Sequence, residues 1–287
     1  MTHPFHPRRS VLYMPGSNGR ALAKARELPA DCLIMDLEDA VAPEAKAAAR
    51  AEIAAALQTG GYGAREVVIR VNAANSPWVD EDLAMVARSR ASAVLLPKVE
   101  SAATIGQALH KLSAAGAPAD LPVWIMIETP RGVLDLDQIL RGQPRVAVVV
   151  MGTSDLAKDL RLPPGVGRTG LLHALGHCAL AARAHGVDII DGVHLALDDE
   201  TGFQIACQLG RDQGFDGKSL IHPRQIAIAN ECFGVTAAEA EAAREIVAAW
   251  QAARSSGRGI TVVRGQLIEQ LHVDEAERLL ALYSATQ

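Results

Sequence analysis

Aromatic residues are scarce in this 287-residue chain: Phe, Trp and Tyr together make up 3% of it. Stacking platforms for single-stranded nucleic acid need such rings, so that class is disfavoured. No basic surplus compensates, since 28 Lys and Arg stand against 33 Asp and Glu, a formal net charge of -5. Nucleic acid and anionic membrane surfaces are therefore not expected as partners. The longest apolar runs, Val146–Met151 and Leu121–Ile127, fall far short of the ~18–20 residues of a membrane helix. Met1–Ser10 carries His, Pro and Arg with no apolar segment after them, so no secretory leader is expected. Cys32, Cys178, Cys207 and Cys232 form no C-x-x-C pair and read as four buried thiols of a cytoplasmic protein. Neither H-E-x-x-H nor a Ser/His/Asp order is evident, and no G-x-G-x-x-G opens a helix after the first apolar run.

What is present is an ordinary globular balance, 49% hydrophobic and 21% charged, with a core of Ala, Val, Leu and Ile. Short, nearly continuous apolar runs recur at Ser10–Met14, Cys32–Leu37, Glu66–Val71, Ala93–Leu96, Val123–Ile127, Val146–Met151, Asp188–Val193 and Ser219–Ile221. Such runs suit strands buried on both faces of a parallel sheet. Ala-rich helical stretches lie between them, among them Pro43–Leu57, Asp80–Ser89, Ala102–Ala115, Leu171–His185 and Glu200–Gly210. Eight strand-then-helix units predict an α/β fold, a TIM (β/α)8 barrel, over residues 1–233. An open doubly wound sheet is the alternative, without its glycine fingerprint. Residues 234–287 are surplus to eight units and predict a C-terminal helical extension, a lid that contacts a neighbouring subunit. Thr236–Ala253 reads as a helix capped by Thr236 with Glu239 three residues on, Ser255–Gly259 as a hinge, and Asp274–Tyr283 as a short helix.

Barrel active sites sit at the C-terminal ends of the strands. Those ends carry Asp36 and Asp39, Arg70, Lys98, Glu128, Asp155, Asp191 with His194, and His222. Many charges at one buried rim are costly unless they pair or bind an ion. Carboxylates with water complete the ligand set that Mg²⁺ prefers, and Glu128 and Asp155 on adjacent strands can converge on one ion. A salt-bridge ring that merely closes the barrel is the competing reading. Arg70 suits a carboxylate or a developing oxyanion. His173, His177 and His185 share one helical stretch and read as surface or packed residues.

The chain resembles the citrate lyase beta-subunit-like family of the aldolase/citrate lyase superfamily. The resemblance rests on Val11–Ser17, Asp36–Val41 with Lys46 and Arg50, Ile69–Asn72, Leu96–Glu100, Ile127–Thr129, Gly152–Leu156, Asp191–Val193, Gly214–Lys218 and Ile221–Ile226, all in order. Malyl-CoA lyases, citramalyl-CoA lyases and citrate lyase beta subunits are relatives. The resemblance implies a homotrimer or hexamer and a Mg²⁺ cofactor, with Mn²⁺ as a substitute, held by Glu128 and Asp155. It places Arg70, Asp36, Glu38 and Asp39 around the reacting group, and Arg20, Lys24, Arg70 and Lys98 as cations for a coenzyme A thioester.

The reaction implied is reversible carbon–carbon cleavage of a 3-hydroxyacyl-CoA thioester, such as malyl-CoA or citramalyl-CoA, into an oxoacid and an acyl-CoA. An aldolase acting on a free hydroxy-oxoacid, a citrate lyase beta-type subunit acting on an acyl-carrier-protein thioester, and a Schiff-base aldolase using Lys98 or Lys218 are the alternatives. One departure stands out. Relatives carry Asp-Gly-x-Met-Ile-Asp in the tail, whose last Asp reaches a neighbouring subunit's site. Here the segment reads Arg264-Gly265-Gln266-Leu267-Ile268-Glu269, so Glu269 stands in for that catalytic Asp with one more methylene.

Overall fold

The computed structural model describes residues 6–163 and 168–287; the first five residues of the Met1–Ser10 stretch lie outside them. Eight parallel strands close into a barrel in sequence order: β1 (Ser10–Pro15), β2 (Cys32–Asp36), β3 (Glu66–Arg70), β4 (Ala93–Leu96), β5 (Val123–Ile127), β6 (Val146–Met151), β7 (Asp188–Asp191) and β8 (Gly217–Leu220). β1 pairs with β8, Ser10 opposite Lys218, and that pairing closes the ring. The helices of this unit are α1 (Gly19–Lys24), α2 (Lys46–Thr59), α3 (Val79–Arg88), α4 (Ala102–Ala114), α5 (Pro130–Leu140), α6 (Thr153–Asp159), α7 (Leu172–Ala184), α8 (Glu200–Asp212) and α9 (Ile226–Cys232). The strand expectations hold to within a residue or two. Two ends matter: β7 stops at Asp191, and β8 begins at Gly217 rather than Ser219.

Side chains alternate between the two faces of a strand. The inner face holds Val11, Cys32, Ile34, Val68, Ala93, Leu95, Trp124, Met126, Val148, Val150 and Ile190, one apolar cluster. Continuing the same alternation upward leads to Asp36, Arg70 and Glu128. Continuing it downward leads to Glu66 and Asp188, where Arg8 closes the lower end. Its Nε donates to Glu66 Oε2 at 2.6 Å and one Nη to Glu66 Oε1 at 2.9 Å, and it also pairs with Asp188. The guanidinium lies 5.5 Å from the Trp124 ring centroid, a cation–π contact that keeps the plug apolar on its upper side.

Arg8–Cys232 form one compact unit, and Phe233–Gln287 belong to a second. The second unit contains α10 (Ala237–Ser255), an antiparallel hairpin of β9 (Thr261–Val263) and β10 (Gln266–Ile268), and α11 (Gln270–Ala285). α10 starts as expected: Glu239 N donates to Thr236 Oγ1 and Thr236 N to Glu239 Oε2. Trp250, Ile268 and Val273 form the core of this unit. The hairpin was not expected, and α11 is longer than Asp274–Tyr283 at both ends. Of the four thiols, Cys32, Cys178 and Cys207 are buried, but Cys232 is only half-buried because it ends α9 near the surface.

Replacing Arg8 with Ala leaves buried Glu66 without its cation and, among the described residues, Asp188 with only Arg183, 3.8 Å away. Loss of one partner from a buried ion pair costs about 3–5 kcal/mol, so denaturant melts of Arg8→Ala should show a loss of that size.

Candidate active site at the strand ends

A cavity of about 360 Å³ opens at the C-terminal ends of the strands, and its lining includes Asp36, Asp39, Arg70, Glu128 and Asp155. A larger groove of about 810 Å³ runs between α2 and α3 on the outer wall, where Arg50, Glu81, Arg88 and Arg90 join Ala47, Ala51, Ala54 and Ala84, but it lies away from the strand ends where barrels place their active sites. The smaller cavity is therefore the candidate site.

Strand register builds its first interaction. Asp36 on β2 is the direct partner of Arg70 on β3, and both face inward. Arg70 Nε and Nη2 donate to the two Asp36 oxygens at 2.7 and 2.6 Å. Such a bidentate fork is the geometry that guanidinium and carboxylate favour. The remaining Nη1 lies 2.9 Å from Glu38 Oε2 and 3.4 Å from Asp39 Oδ2. Burial disfavours the guanidinium charge, yet Asp36 outweighs it and holds Arg70 well above its usual range. The Tyr13 ring lies beneath, its centroid 5.0 Å from the guanidinium carbon, and burial pushes its phenol up.

The acidic turn after β2 is clamped from below. Glu38 N and Ala40 N donate to the two Asp36 oxygens. Lys46 Nζ, buried at the start of α2, donates to the carbonyls of Leu37 and Glu38 at 2.7 Å each, and lies over the Trp78 ring. Arg50 holds Asp82, which in turn accepts from the backbone and side chain of Asn72 just past β3. Lys46 and Arg50 thus have structural work that the sequence pattern did not specify.

Glu128 follows β5 at the next inward position. Thr129 caps α5 by accepting from Gly132 N at 3.1 Å, with Pro130 at the first helical position; that start is favourable because its fixed φ suits the helix. Lys98 N donates to Glu128 Oε1 at 2.7 Å, and Lys98 Nζ to Glu38 Oε1 at 2.8 Å. Lys98 takes a φ of 51° to do so, a left-handed conformation uncommon for a side chain with a Cβ. Burial, and then the neighbouring Glu38, push the Glu128 carboxyl up to about 7. Burial also raises Glu38, against the pull of Arg70 and Lys98.

Two inward positions carry no side chain. A Cβ on Gly152, after β6, would sit 2.3 Å from Glu128 Cβ and 2.6 Å from Glu128 Oε2. One on Gly192, after β7, would sit 2.2 Å from Thr153 Oγ1. Both glycines leave space that Glu128 and the start of α6 occupy, and Asp155 stands in the first turn of α6, half-buried.

Other expected residues lie elsewhere. Arg20 and Lys24 are exposed on α1 and do not line the cavity. Lys98 does not line it either, and touches it only by donating its N–H to Glu128. Glu269 is exposed at the start of α11 in the second unit, where its N–H donates to His272 Nδ1 at 3.1 Å. Lys218 and Asp191 occupy the opposite alternation and do not line the cavity. Lys218 is fully buried, donating to Asp191 Oδ2 at 2.5 Å and Gly192 O at 2.7 Å, and Arg168 shares the same carboxylate. A Schiff-base role for Lys218 is thereby removed. For Lys98, burial acts to lower the ammonium pKa, but the bond and charge of Glu38 win and raise it, which leaves it a poor nucleophile near neutrality. His194 turns from the cavity onto the Phe203 ring, 5.7 Å between centroids, and His173 stacks on His177. Tyr13, Met126, Met151, Thr153, Val193, Leu195, Ser219 and Ile221 also line the cavity and were not given a site role from sequence. Strand alternation alone points to Tyr13 and Met126.

The donor set can be weighed against a cation. Among the described residues no group of three or more His, Cys, Asp or Glu is arranged to hold a metal. Two carboxylates with water and substrate completing the shell is the pattern Mg²⁺ takes. Four carboxylates (Asp36, Asp39, Glu128 and Asp155) line the cavity against one cation, Arg70, among its described lining residues, and a buried carboxylate held near pH 7 is what a cation would discharge. The residues fit a hard divalent ion.

The HpcH/HpaI aldolase/citrate lyase family model matches residues 9–223. The chain belongs to that family. The (3S)-malyl-CoA thioesterase of Cereibacter sphaeroides strain ATCC 17025 is 47% identical over 98% of this chain and 96% of that protein. Citrate lyase subunit beta of Escherichia coli K12 is 34% identical over 96% and 92%. Among solved structures, CitE from Mycobacterium tuberculosis in complex with magnesium, acetoacetate and coenzyme A is 29% identical, with a TM-score of 0.75 over 97% of this chain and 98% of that one. No helix of the described residues is long and apolar enough to cross a membrane.

Gly152→Ala should cost about 1–3 kcal/mol through overpacking against Glu128. Gly106→Ala on α4, where a Cβ meets nothing within 4 Å, should instead gain about 0.5–1 kcal/mol. Thermal melts of the two variants check the pair.

Proposed function

We propose that this member of the family is a Mg²⁺-dependent carbon–carbon lyase. It cleaves or forms a 3-hydroxyacyl-CoA thioester of the malyl-CoA or citramalyl-CoA type. The observation that carries the reading is the carboxylate-rich cavity around the Arg70–Asp36 fork, supported by the magnesium and coenzyme A bound in the related CitE structure. Glu128 and Asp155 would hold the ion. When bound, Mg²⁺ supplies Lewis-acid polarisation of an oxygen it contacts.

The chain's own residues do the rest. In cleavage the substrate hydroxyl loses its proton to a carboxylate base, for which Asp36, Asp39 and Glu269 are the candidates. The carbon–carbon bond breaks, a carbonyl forms on the oxoacid, and the electron pair passes to the thioester as an enolate that is then protonated. Arg70 offsets the charge that develops. Lys98 orients Glu38 and Glu128, while Arg20 and Lys24 take the phosphates of the coenzyme. Residues 234–287 act as a lid within a homotrimer or hexamer, with Glu269 serving a neighbouring site.

The 47% identity to a (3S)-malyl-CoA thioesterase favours a second reading, in which water attacks the thioester carbonyl and the thiol leaves. A panel of malyl-, citramalyl- and methylmalyl-type thioesters with Mg²⁺ separates the two. Oxoacid release with no free thiol is expected; thiol release with no oxoacid would sink the lyase reading. Including an acyl-carrier-protein thioester tests the carrier-dependent variant suggested by the citrate lyase beta relative.

Glu128→Ala or Asp155→Ala should abolish Mg²⁺-dependent turnover, and near-normal kcat at low Mg²⁺ in either variant overturns the ligand assignment. Linkage adds a pH signature. Glu128 is raised from 4.5 to about 7 in the metal-free fold, so the fold binds that proton more tightly than the unfolded chain does. Its contribution to stability is complete below 4.5 and is lost as pH rises through 7. Mg²⁺ competes with the same proton. The rise in Tm on adding Mg²⁺ should therefore be small at pH 5.5, grow through pH 7, and vanish in Glu128→Gln. For Glu269, inactive Glu269→Ala and Glu128→Ala chains, mixed and reassembled, should regain part of the activity if the carboxylate acts across subunits; no recovery contradicts that placement.

A further inference from the structure

Asp155 is carried by α6, a helix of seven residues. So short a helix has little stability of its own and depends on packing. Its cap position is Gly152, which has no side-chain oxygen to accept from the N–H groups of the first turn. Contacts from outside α6 must therefore keep Asp155 in the cavity lining.

The start of α6 is held through Gly192. A Cβ there would sit 2.2 and 2.4 Å from Thr153 Oγ1 and Cγ2. The Gly192 backbone thus lies directly against the buried Thr153 side chain, two residues before Asp155. That backbone is pinned on both sides. Gly192 N donates to Asp191 Oδ1 at 2.8 Å, and Gly192 O accepts from Lys218 Nζ at 2.7 Å. Asp191 is fixed in turn, since its carbonyl accepts from Ser219 Oγ at 2.9 Å and its Oδ2 from Lys218 Nζ.

The far end of α6 leads to the same carboxylate. Leu162 N donates to Ala157 O and turns the chain back after the helix, and a Cβ on Gly170 would sit 2.7 Å from Leu162 Cδ1. Two residues before Gly170, one Nη of Arg168 reaches both Asp191 oxygens, at 2.9 and 2.7 Å. The other Nη faces Gln213 Oε1 at 3.4 Å, and Gln213 donates to Leu172 O at the start of α7. Asp191 is the point to which both ends of α6 are tied.

Stability alone does not account for this cluster. Lys218 and Asp191 are fully buried, and Arg168 adds a second cation to one carboxylate. The desolvation of buried charges is often not repaid by their attraction, and apolar residues of similar volume stabilise as well. What a satisfied polar network supplies beyond that is one fixed geometry.

We propose that Arg168, Asp191 and Lys218 are positioning residues that hold α6 at both ends and so set the Asp155 carboxylate for Mg²⁺. None of the three lines the cavity. The inference rests on the reading of Asp155 as a metal ligand and adds to it the groups that place that ligand. Partners behind a metal ligand change affinity about 10–100-fold when they are removed.

The test is calorimetric titration of Mg²⁺ into wild type, Arg168→Gln and Arg65→Gln. Arg168→Gln leaves the Lys218–Asp191 pair in place. Arg65 is half-buried like Arg168 but donates to the carbonyls of Tyr62, Ala25, Leu28 and Arg26, below β3, so its loss controls for general destabilisation. The Mg²⁺ Kd should rise about tenfold or more in Arg168→Gln and stay within about twofold of wild type in Arg65→Gln. Arg168→Lys, which keeps a cation on Asp191, should recover most of the affinity. Hydrogen exchange gives a readout free of the metal. The amides of Leu156 and Leu160, which donate to Gly152 O and Leu156 O, should lose protection in Arg168→Gln but not in Arg65→Gln.

With Mg²⁺ binding lost in Asp155→Asn, wild-type affinity in Arg168→Gln overturns the proposal, as does an equal loss in Arg65→Gln. If Arg168→Gln does not fold, Gly192→Ala carries the same test, because the new methyl group displaces Thr153; unchanged Mg²⁺ affinity there overturns the proposal too. The metal reading fails separately, if Asp155→Asn binds Mg²⁺ as wild type does. The positioning role then stands only if exchange in α6 rises in Arg168→Gln and not in Arg65→Gln.

Discussion

A closed ring of parallel strands gives each strand one inward set of residues, two positions apart, and that alternation governs the rest of this molecule. Apolar residues fill the middle of the ring. One step beyond them upward the same face yields Asp36, Arg70 and Glu128; one step downward it yields Glu66 and Asp188. Charge therefore sits at both ends with a dry layer between. The two ends are treated differently. Below, Arg8 pairs with Glu66 and Asp188, sealing the barrel. Above, acidic groups outnumber Arg70 and Lys98, and the imbalance is what a divalent ion and an anionic substrate complete.

The upper end also shows how much scaffolding a charged site needs. Lys46 fixes two carbonyls of the acidic turn, Arg50 fixes Asp82 and through it Asn72, and Lys98 adopts an uncommon backbone to present its N–H to Glu128. None of these needs to touch a substrate. Their effect is to hold Asp36, Glu38 and Glu128 in one geometry before anything binds, the preorganisation on which electrostatic stabilisation depends. An exposed ion pair could not serve this way, because solvent screening leaves it little worth.

Much of this was legible in the sequence. Short apolar runs with Ala-rich helices between them specify the barrel, and the charged residues at the ends of β2, β3, β5 and β6 mark the cavity. What escaped has physical reasons. The end of a strand is legible, but which of its last residues faces inward is not, and one residue of difference moves a side chain from cavity to outer wall. That is why Asp191 reads as a rim residue although it pairs with Lys218 outside the cavity. Leu195 and Ile221 in the cavity lining were silent because exposed apolar residues are commonplace. The three-residue strands of the tail hairpin are too short to leave a periodic signal.

The glycines at positions 152 and 192 deserve a last consequence. On β2, β3 and β5 the inward position above the core holds a charged side chain, but past β6 and β7 the corresponding place holds none. The room those two positions leave is taken by Glu128 and Thr153. A methyl group on either strand would push its neighbour aside, so the placing of an acid on β5 is decided by what β6 leaves out.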